Sequence, residues 1–179
     1  MVTFLVIGEG RAAKTIAEYA AKRGDLVALL PGGADLTAYM NTGLVDWLLS
    51  VNNPHMIPGD VINLARKGAL NLHPAPLPEY AGLYCHYWAH KEGARRFGAT
   101  LHHMTARADT GAIVYKELFA VSHKDTPGTL FVRATSAGLK LVKRAIDALA
   151  KGRDLPAHPQ VHPRRLYTRQ MALDQGFIR

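Results

Sequence analysis

The sequence predicts a single three-layer α/β domain, a mostly parallel, Rossmann-like sheet with helices on both faces. Three observations predict it. Continuous apolar runs alternate with stretches of helical periodicity through the first half of the chain. The apolar runs are short and closed by glycine or proline, as in strands buried on both sides. The 179 residues, 48% of them hydrophobic, suffice for one sizeable core but not two.

Taken in order, residues 2–8 form an apolar run ending at Gly8, the first strand. Residues 11–23 follow as a helix with Ile16, Tyr19 and Ala20 on one face, closed by Gly24. Residues 26–30 read as a second buried strand. Pro31, Gly32 and Gly33 then break the chain, and residues 34–40 make a short helix. Residues 47–51 are a third strand. Pro58 opens a helix to about residue 66, at a position that needs no backbone N–H. Residues 69–73 form a fourth strand, 74–82 a proline-rich loop and 83–92 a helix. Residues 100–104 and 113–121 are two further strands. Pro127 opens the longest helix, to Ala150, on a stripe of Phe131, Ala134, Gly138, Val142, Ala145 and Leu149. Gly152 ends it. The chain thus divides into a main domain, residues 1–152, and a basic C-terminal extension, residues 153–179.

The single cysteine, Cys85, excludes an internal disulfide and suits a reducing compartment. No run approaches the roughly 18 apolar residues of a membrane span, and Glu9 interrupts the apolar N-terminus before any signal-peptide pattern develops. A soluble cytoplasmic protein is expected, with no membrane partner. The formal net charge is +8. In residues 151–179, Lys151, Arg153, Arg164, Arg165, Arg169 and Arg179 face only Asp154 and Asp174. Such a field favours an anionic partner, for example a folate carboxylate, a phosphorylated substrate or an acidic carrier protein; a solvated tail is the plain alternative. Zinc-finger spacing and aromatic–basic interleaving are both absent, so nucleic acid is not an expected partner.

Gly8-Glu9-Gly10-Arg11-Ala12-Ala13 matches the G-x-G-x-x-A dinucleotide fingerprint between a strand and a helix. The fingerprint also needs an acid at the end of the second strand, where this chain has Leu30 and Pro31. A tight turn in which Gly8, Gly10 and Arg11 line part of a substrate site is therefore favoured over a nicotinamide cofactor. His86 and His90 fall at i, i+4, but residue 87 is Tyr and the zinc-protease pattern fails, so no metal is expected.

The informative stretch runs from Asn71 to Gly82. Asn71 and His73 lie two apart on a strand, so both project to one side while Leu72 turns into the core. They stand at the C-terminal end of that strand, where open α/β sheets hold ligands. Pro74, Pro76 and Pro78 stiffen the following loop into a binding wall, with Tyr80 and Gly82 at its end. Downstream, Thr100 and His102 share one strand face and His103 the other. Asp109 follows in a turn ahead of Gly111, within reach of the sheet edge. The plain readings are a capping Asn71, a structural His73, a turn-forming Asp109 and a packed His102.

Asn-x-His followed by Leu-Pro and glycine, then Gly-x-Thr-x-His, then Asp-x-Gly-x-Ile resemble the signature of folate-dependent formyltransferases. That family includes glycinamide ribonucleotide transformylase, methionyl-tRNA formyltransferase and the sugar N-formyltransferases. The likeness is clearest over residues 47–121. It implies that Asn71, His73 and Asp109 hold the catalytic positions and that Thr100 and His102 shape the site. It implies further that Thr105, Arg107, Ala108 and Gly111 help hold the pterin of 10-formyltetrahydrofolate, opposite Ser50, Val51 and Asn52. The Ser50–Asn53 segment stands where many relatives carry a Tyr-Gly loop, and Pro74-Ala75-Pro76 replaces their Pro-Ser-Leu. In layout the chain is most similar to the compact formylation domains of peptide synthetases and to sugar N-formyltransferases. The implied acceptor is a primary amine on a small molecule, an amino sugar or a carrier-bound aminoacyl group, and a homodimer is an open expectation. A folate- or carrier-binding module without turnover is the alternative.

Overall fold

The computed structural model describes residues 1–160 and 165–179. In chain order the elements are β1 (Thr3–Gly8), α1 (Gly10–Ala21), β2 (Asp25–Leu30), α2 (Thr37–Met40), β3 (Trp47–Val51), α3 (Gly59–Ile62), β4 (Gly68–His73), β5 (Ala81–Gly82), α4 (Cys85–Lys91), β6 (Arg96–His103), β7 (Ile113–Ala120), α5 (Pro127–Ala150), β8 (Leu166–Tyr167) and α6 (Arg169–Asp174). Six strands form one sheet in the order β2-β1-β3-β4-β6-β7, while β5 and β8 pair separately. The pairings from β2 to β4 are parallel, and β6 and β7 join antiparallel. No helix among the described residues is long and apolar enough to cross a membrane.

Strand alternation divides the core into layers. On β1, Phe4 and Val6 pack against α1 and α5 with Ile16, Ala20, Val142 and Ile146. Leu5 and Ile7 point the other way, into a cluster with Met40, Leu48 and Ile62. A third cluster, with Trp88, Phe97, Leu130 and Tyr167, joins α4 to the start of α5 and to β8. The long helix starts as its sequence dictates. Thr126 caps it, exchanging hydrogen bonds with Thr129, and Pro127 occupies the first turn.

Two glycines bring elements close beside the C-terminal ends of the strands. A Cβ on Gly8 would stand 1.7 Å from the Val51 carbonyl oxygen, so Gly8 lets β1 end tightly against β3. A Cβ on Gly138 would stand 2.2 Å from Leu72 Cδ1, so the missing side chain lets α5 lie on β4.

Several elements differ from expectation. Strand β2 is only half-buried, because it is the sheet edge and Leu29 is 39% exposed. Helix α3 is a single turn, since the Arg66 and Lys67 N–H groups bond back to the Val45 and Asp46 carbonyls and pull the chain into β4. Helix α4 begins at Cys85, because Tyr84 takes a left-handed backbone and the Leu83 N–H joins Tyr167 instead. Strand β6 starts four residues before the expected Thr100, paired along its length with β7. Strands β5 and β8 and helix α6 were not anticipated.

Candidate active site

The last residues of β4 carry the candidate chemistry. Asn71 is paired with His102 and His73 with Thr100 across the antiparallel β4–β6 ladder. The two-residue period puts Asn71, His73, Thr100 and His102 on one face. Asp109 comes from the loop between β6 and β7 and takes a left-handed backbone, φ +53°. Among non-glycine residues Asp and Asn adopt that conformation with least strain.

The four polar groups meet. Asp109 Oδ2 lies 3.7 Å from His73 Nδ1, and Oδ1 lies 3.4 Å from His102 Nε2. The Gly82 N–H donates to Asp109 Oδ2 at 2.8 Å. His73 Nε2 lies 2.7 Å from the Tyr80 carbonyl oxygen, which only accepts, so Nε2 carries a proton. His102 Nδ1, 2.8 Å from the His103 carbonyl, is protonated for the same reason. When that ring is neutral, Nε2 accepts from Asn71 Nδ2 at 3.1 Å; when it is cationic, Nε2 turns donor toward Asp109. Asn71 retains a second N–H for the cavity.

Burial pushes the Asp109 carboxyl up, but the charge of His73, the hydrogen bond and charge of His102 and the Gly82 N–H outweigh it. The net result holds Asp109 well below the usual carboxylate range, ionised at neutral pH. The buried thiol of Cys85, 3.9 Å from His73 Nε2, is pushed up by burial and by the nearby Asp109 charge, and stays protonated.

These side chains open onto a cavity of about 1000 Å³. Ser50, Asn52, Thr105, Arg107 and Ala108 line it together with Asn53, Ile57 and Met104. Gly82 and His102 also reach the wall, as does Pro74. Further wall comes from Tyr84, His86, Tyr87, Phe131, Tyr167, Thr168 and Arg169. Two buried wall atoms, Asn52 Oδ1 and Asn53 Nδ2, have no hydrogen-bond partner among the described residues. They offer an acceptor and a donor to a ligand.

The remaining expected wall residues lie elsewhere. Val51 is sealed in the core under α1 and α5. Gly111 packs under the His103 carbonyl, where a Cβ would come within 1.8 Å, and its own carbonyl accepts from Gln160. Thr100 is fully buried, bridging the Ala75 carbonyl and the Leu77 N–H. Pro76 is buried, its carbonyl bonded to the Tyr80 N–H. The Tyr80 side chain turns away to Glu92 and Phe97. Gly8, Gly10 and Arg11 are also off the cavity, because their turn serves the β1–β3 approach and Arg11 is exposed; Glu9 between them reaches the wall instead.

The C-terminal segment folds onto the domain. The Arg165 guanidinium lies over the Trp88 and Tyr167 rings, and Arg169 reaches the cavity. Arg164 lies outside the described residues. His86 packs against Tyr87 and Phe131, and its ring is pushed down to about 4 by burial. No group of three or more His, Cys, Asp or Glu among the described residues could hold a metal ion. The wall residues that sequence reasoning missed come from the loops after β3 and β6, α4 and the turn into it, α5, β8 and α6. Of these, Phe131, His86 and Arg169 carried a signal, as a helix-stripe residue, as half of a histidine pair and as part of the basic C-terminal field.

The family model described as formyl transferase matches residues 8–146. A GDP-perosamine N-formyltransferase of Brucella melitensis is 32% identical over 126 residues, covering 70% of this chain and 48% of that protein. A methionyl-tRNA formyltransferase of Burkholderia orbicola is 29% identical over 158 residues, covering 83% of this chain and 48% of that one. This chain therefore spans about half the length of the curated relatives it matches. Among solved structures, the formyltransferase PseJ of Anoxybacillus kamchatkensis superposes with a TM-score of 0.84 at 23% identity, over 98% of this chain and 90% of that one. It was crystallised with UDP-4,6-dideoxy-4-formamido-L-AltNAc and tetrahydrofolate.

Proposed function

The chain belongs to the formyl transferase family, and we propose that it moves a formyl group from 10-formyltetrahydrofolate to a primary amine of an amino sugar nucleotide. The observation that carries this reading is the convergence of Asn71, His73, His102 and Asp109 on one cavity of about 1000 Å³. The unpartnered Asn52 Oδ1 and Asn53 Nδ2, beside apolar Ile57 and Met104, suit a flat heterocycle edged with donors and acceptors. Ser50, Thr105, Arg107 and Ala108 complete that wall. When bound, 10-formyltetrahydrofolate supplies a formyl carbon open to attack by an amine, leaving tetrahydrofolate and an N-formyl product.

The residues divide the work. The free N–H of Asn71 donates to the formyl oxygen as it gains negative charge, an effect on the order of 10²–10³ in rate per donor. His73, 3.7 Å from the Asp109 carboxylate, adds its positive charge to the same oxygen when it is protonated. Asp109, held ionised, takes the proton that the attacking amine must lose, for roughly 10²–10⁴ in rate. Its hydrogen bond from Gly82 keeps it aimed while it does so. The proton returns to the folate nitrogen as the carbon–nitrogen bond breaks, so charge balances.

For the acceptor, Tyr84, Tyr87 and Phe131 offer flat apolar faces, and Arg169 a cation for a phosphate. The Brucella relative, named for a GDP-linked amino sugar, supports the same class. The test is incubation with 10-formyltetrahydrofolate and a panel of amino sugar nucleotides, read by mass spectrometry. One formyl group gained by a sugar nucleotide supports the proposal. Formylation of a carrier-bound aminoacyl group alone would replace the acceptor, and folate binding without transfer to any amine would make the chain a binding module.

A further inference from the structure

Residues 80–82 touch both members of the His73–Asp109 pair. The Tyr80 carbonyl accepts from His73 Nε2 at 2.7 Å, and the Gly82 N–H donates to Asp109 Oδ2 at 2.8 Å. One short stretch of backbone therefore sets the orientation of both side chains. That stretch lies outside the main sheet; its strand partner is β8, from the far end of the chain. Leu83 N–H donates to the Tyr167 carbonyl at 2.8 Å, extending the pairing. A Cβ on Gly82 would stand 2.1 Å from the Tyr167 carbonyl oxygen, so only glycine admits so close a strand.

Side chains lock the same junction. Glu92 Oε2 accepts from the Tyr80 hydroxyl at 3.0 Å, and Oε1 accepts from the Tyr167 hydroxyl at 2.9 Å. The two tyrosine rings stack at 6.0 Å with their planes 15° apart. Trp88 stacks on the far side of the cluster, 4.8 Å from Tyr167. Tyr167 is 4% exposed, so its ring is packed into the interior, while Glu92 holds its hydroxyl from the surface side. A carboxylate that receives two hydroxyl bonds at once fixes the distance between its donors.

We propose that Tyr167 and Glu92 are positioning residues for the His73–Asp109 pair, with the C-terminal strand clamping the backbone that orients both. The inference rests on the reading that His73 and Asp109 carry the transfer. It assigns the C-terminal segment a part in the reaction, exerted through the backbone of residues 80–82. Without the clamp, residues 80–82 keep their covalent path but lose their strand partner, and the pair loses a shared frame. Small displacements of reacting groups weigh heavily on rate and lightly on binding.

The test compares the full-length protein with Tyr167→Phe, Glu92→Ala and Glu92→Gln. Two readouts need no substrate: amide exchange at Gly82 and the ¹⁵N signals of the His73 ring. In Tyr167→Phe and Glu92→Ala, Gly82 exchange should quicken by on the order of tenfold or more. The His73 Nε2 signal should move toward that of an unbonded N–H. With an accepted amine, kcat should fall by on the order of tenfold with the folate KM unchanged. The acid limb of kcat should move to higher pH, because Asp109, facing His73 and His102, loses the N–H that favours its ionised form. Glu92→Gln keeps the shape, accepts from one tyrosine hydroxyl and donates its amide N–H to the other, so it should retain most of the wild-type behaviour. A lower melting temperature with Gly82 exchange, His73 signals and kcat unchanged would overturn the proposal and leave the cluster as packing. Should Glu92→Ala fail to fold, Tyr167→Phe and Glu92→Gln preserve the shape and decide the question. Absence of transfer in the wild type would refute the functional reading, while the exchange and ring signals would still support or overturn the clamp.

Discussion

Asn71 Nδ2 lies 3.1 Å from His102 Nε2 across the β4–β6 ladder. With His102 Nδ1–H bonded to the His103 carbonyl, the neutral ring presents a lone pair to Asn71 and thereby decides which side of the amide faces the cavity. Asn71→Ala should lower kcat by on the order of 10²–10³, the worth of one oxyanion donor. His102→Phe should produce a smaller loss, because the amide stays but turns freely. Steady-state kinetics on both variants checks the order; equal losses would mean that His102 acts on the reaction directly.

Asp109→Asn keeps the left-handed backbone at φ +53°, which Asn tolerates, and removes only the charge. Turnover should fall on the order of 10²–10⁴ with the circular dichroism spectrum unchanged. His73→Ala should lose a comparable factor. A rate near wild type in either variant would strip that residue of its assigned role.

Acid should destabilise the fold in two separable windows. His86 has a folded pKa depressed to about 4 by burial, so the unfolded chain binds the extra proton first. Its contribution is complete above the unfolded value near 6.5 and is lost as pH falls from there toward 4. Asp109, also depressed, contributes above the unfolded carboxylate value of about 3.9 and loses that contribution below it. Denaturant titrations from about pH 2 to about pH 8, which cover the His86 window and the upper part of the Asp109 one, should find the upper window flattened in His86→Phe and the lower one in Asp109→Asn.

Gly138→Ala places a methyl group 2.2 Å from Leu72 Cδ1 and forces α5 away from β4. The expected cost is about 1–3 kcal/mol, an overpacking penalty. Because Leu72 sits between Asn71 and His73, kcat should fall as well. Calorimetry and kinetics on one preparation test both effects, and an unchanged melting temperature would mean that the Leu72 side chain simply swings aside.

Cys85 borders the cavity but is only 4% exposed, and its thiol is pushed up by burial, so it stays protonated and shielded. A maleimide at neutral pH should leave the native protein unlabelled and react after denaturation. Rapid native labelling would reveal an opening motion of the loop between β4 and α4.

The sequence by itself determined what depends on near neighbours. Pro127 and Gly152 bounded α5; the apolar run into Gly8 announced β1; and the two-residue period set Asn71 and His73 on one side of β4. The turn at Asp109 and Gly111 was legible because few residues suit such a backbone. Tertiary structure alone decided which distant segments meet. Strands β5 and β8 have two residues each, too few to display any periodicity, and their pairing joins residues 81–82 to 166–167. The stretch beginning at Gly8 matched a ligand-binding pattern, yet it is used for strand packing, because the Val51 carbonyl occupies the space a side chain would need. Side-chain direction and capping are properties of a few consecutive residues and can be read from them. The cavity wall is a property of the packed chain, because its residues come from segments whose separation in sequence carries no record of their contact.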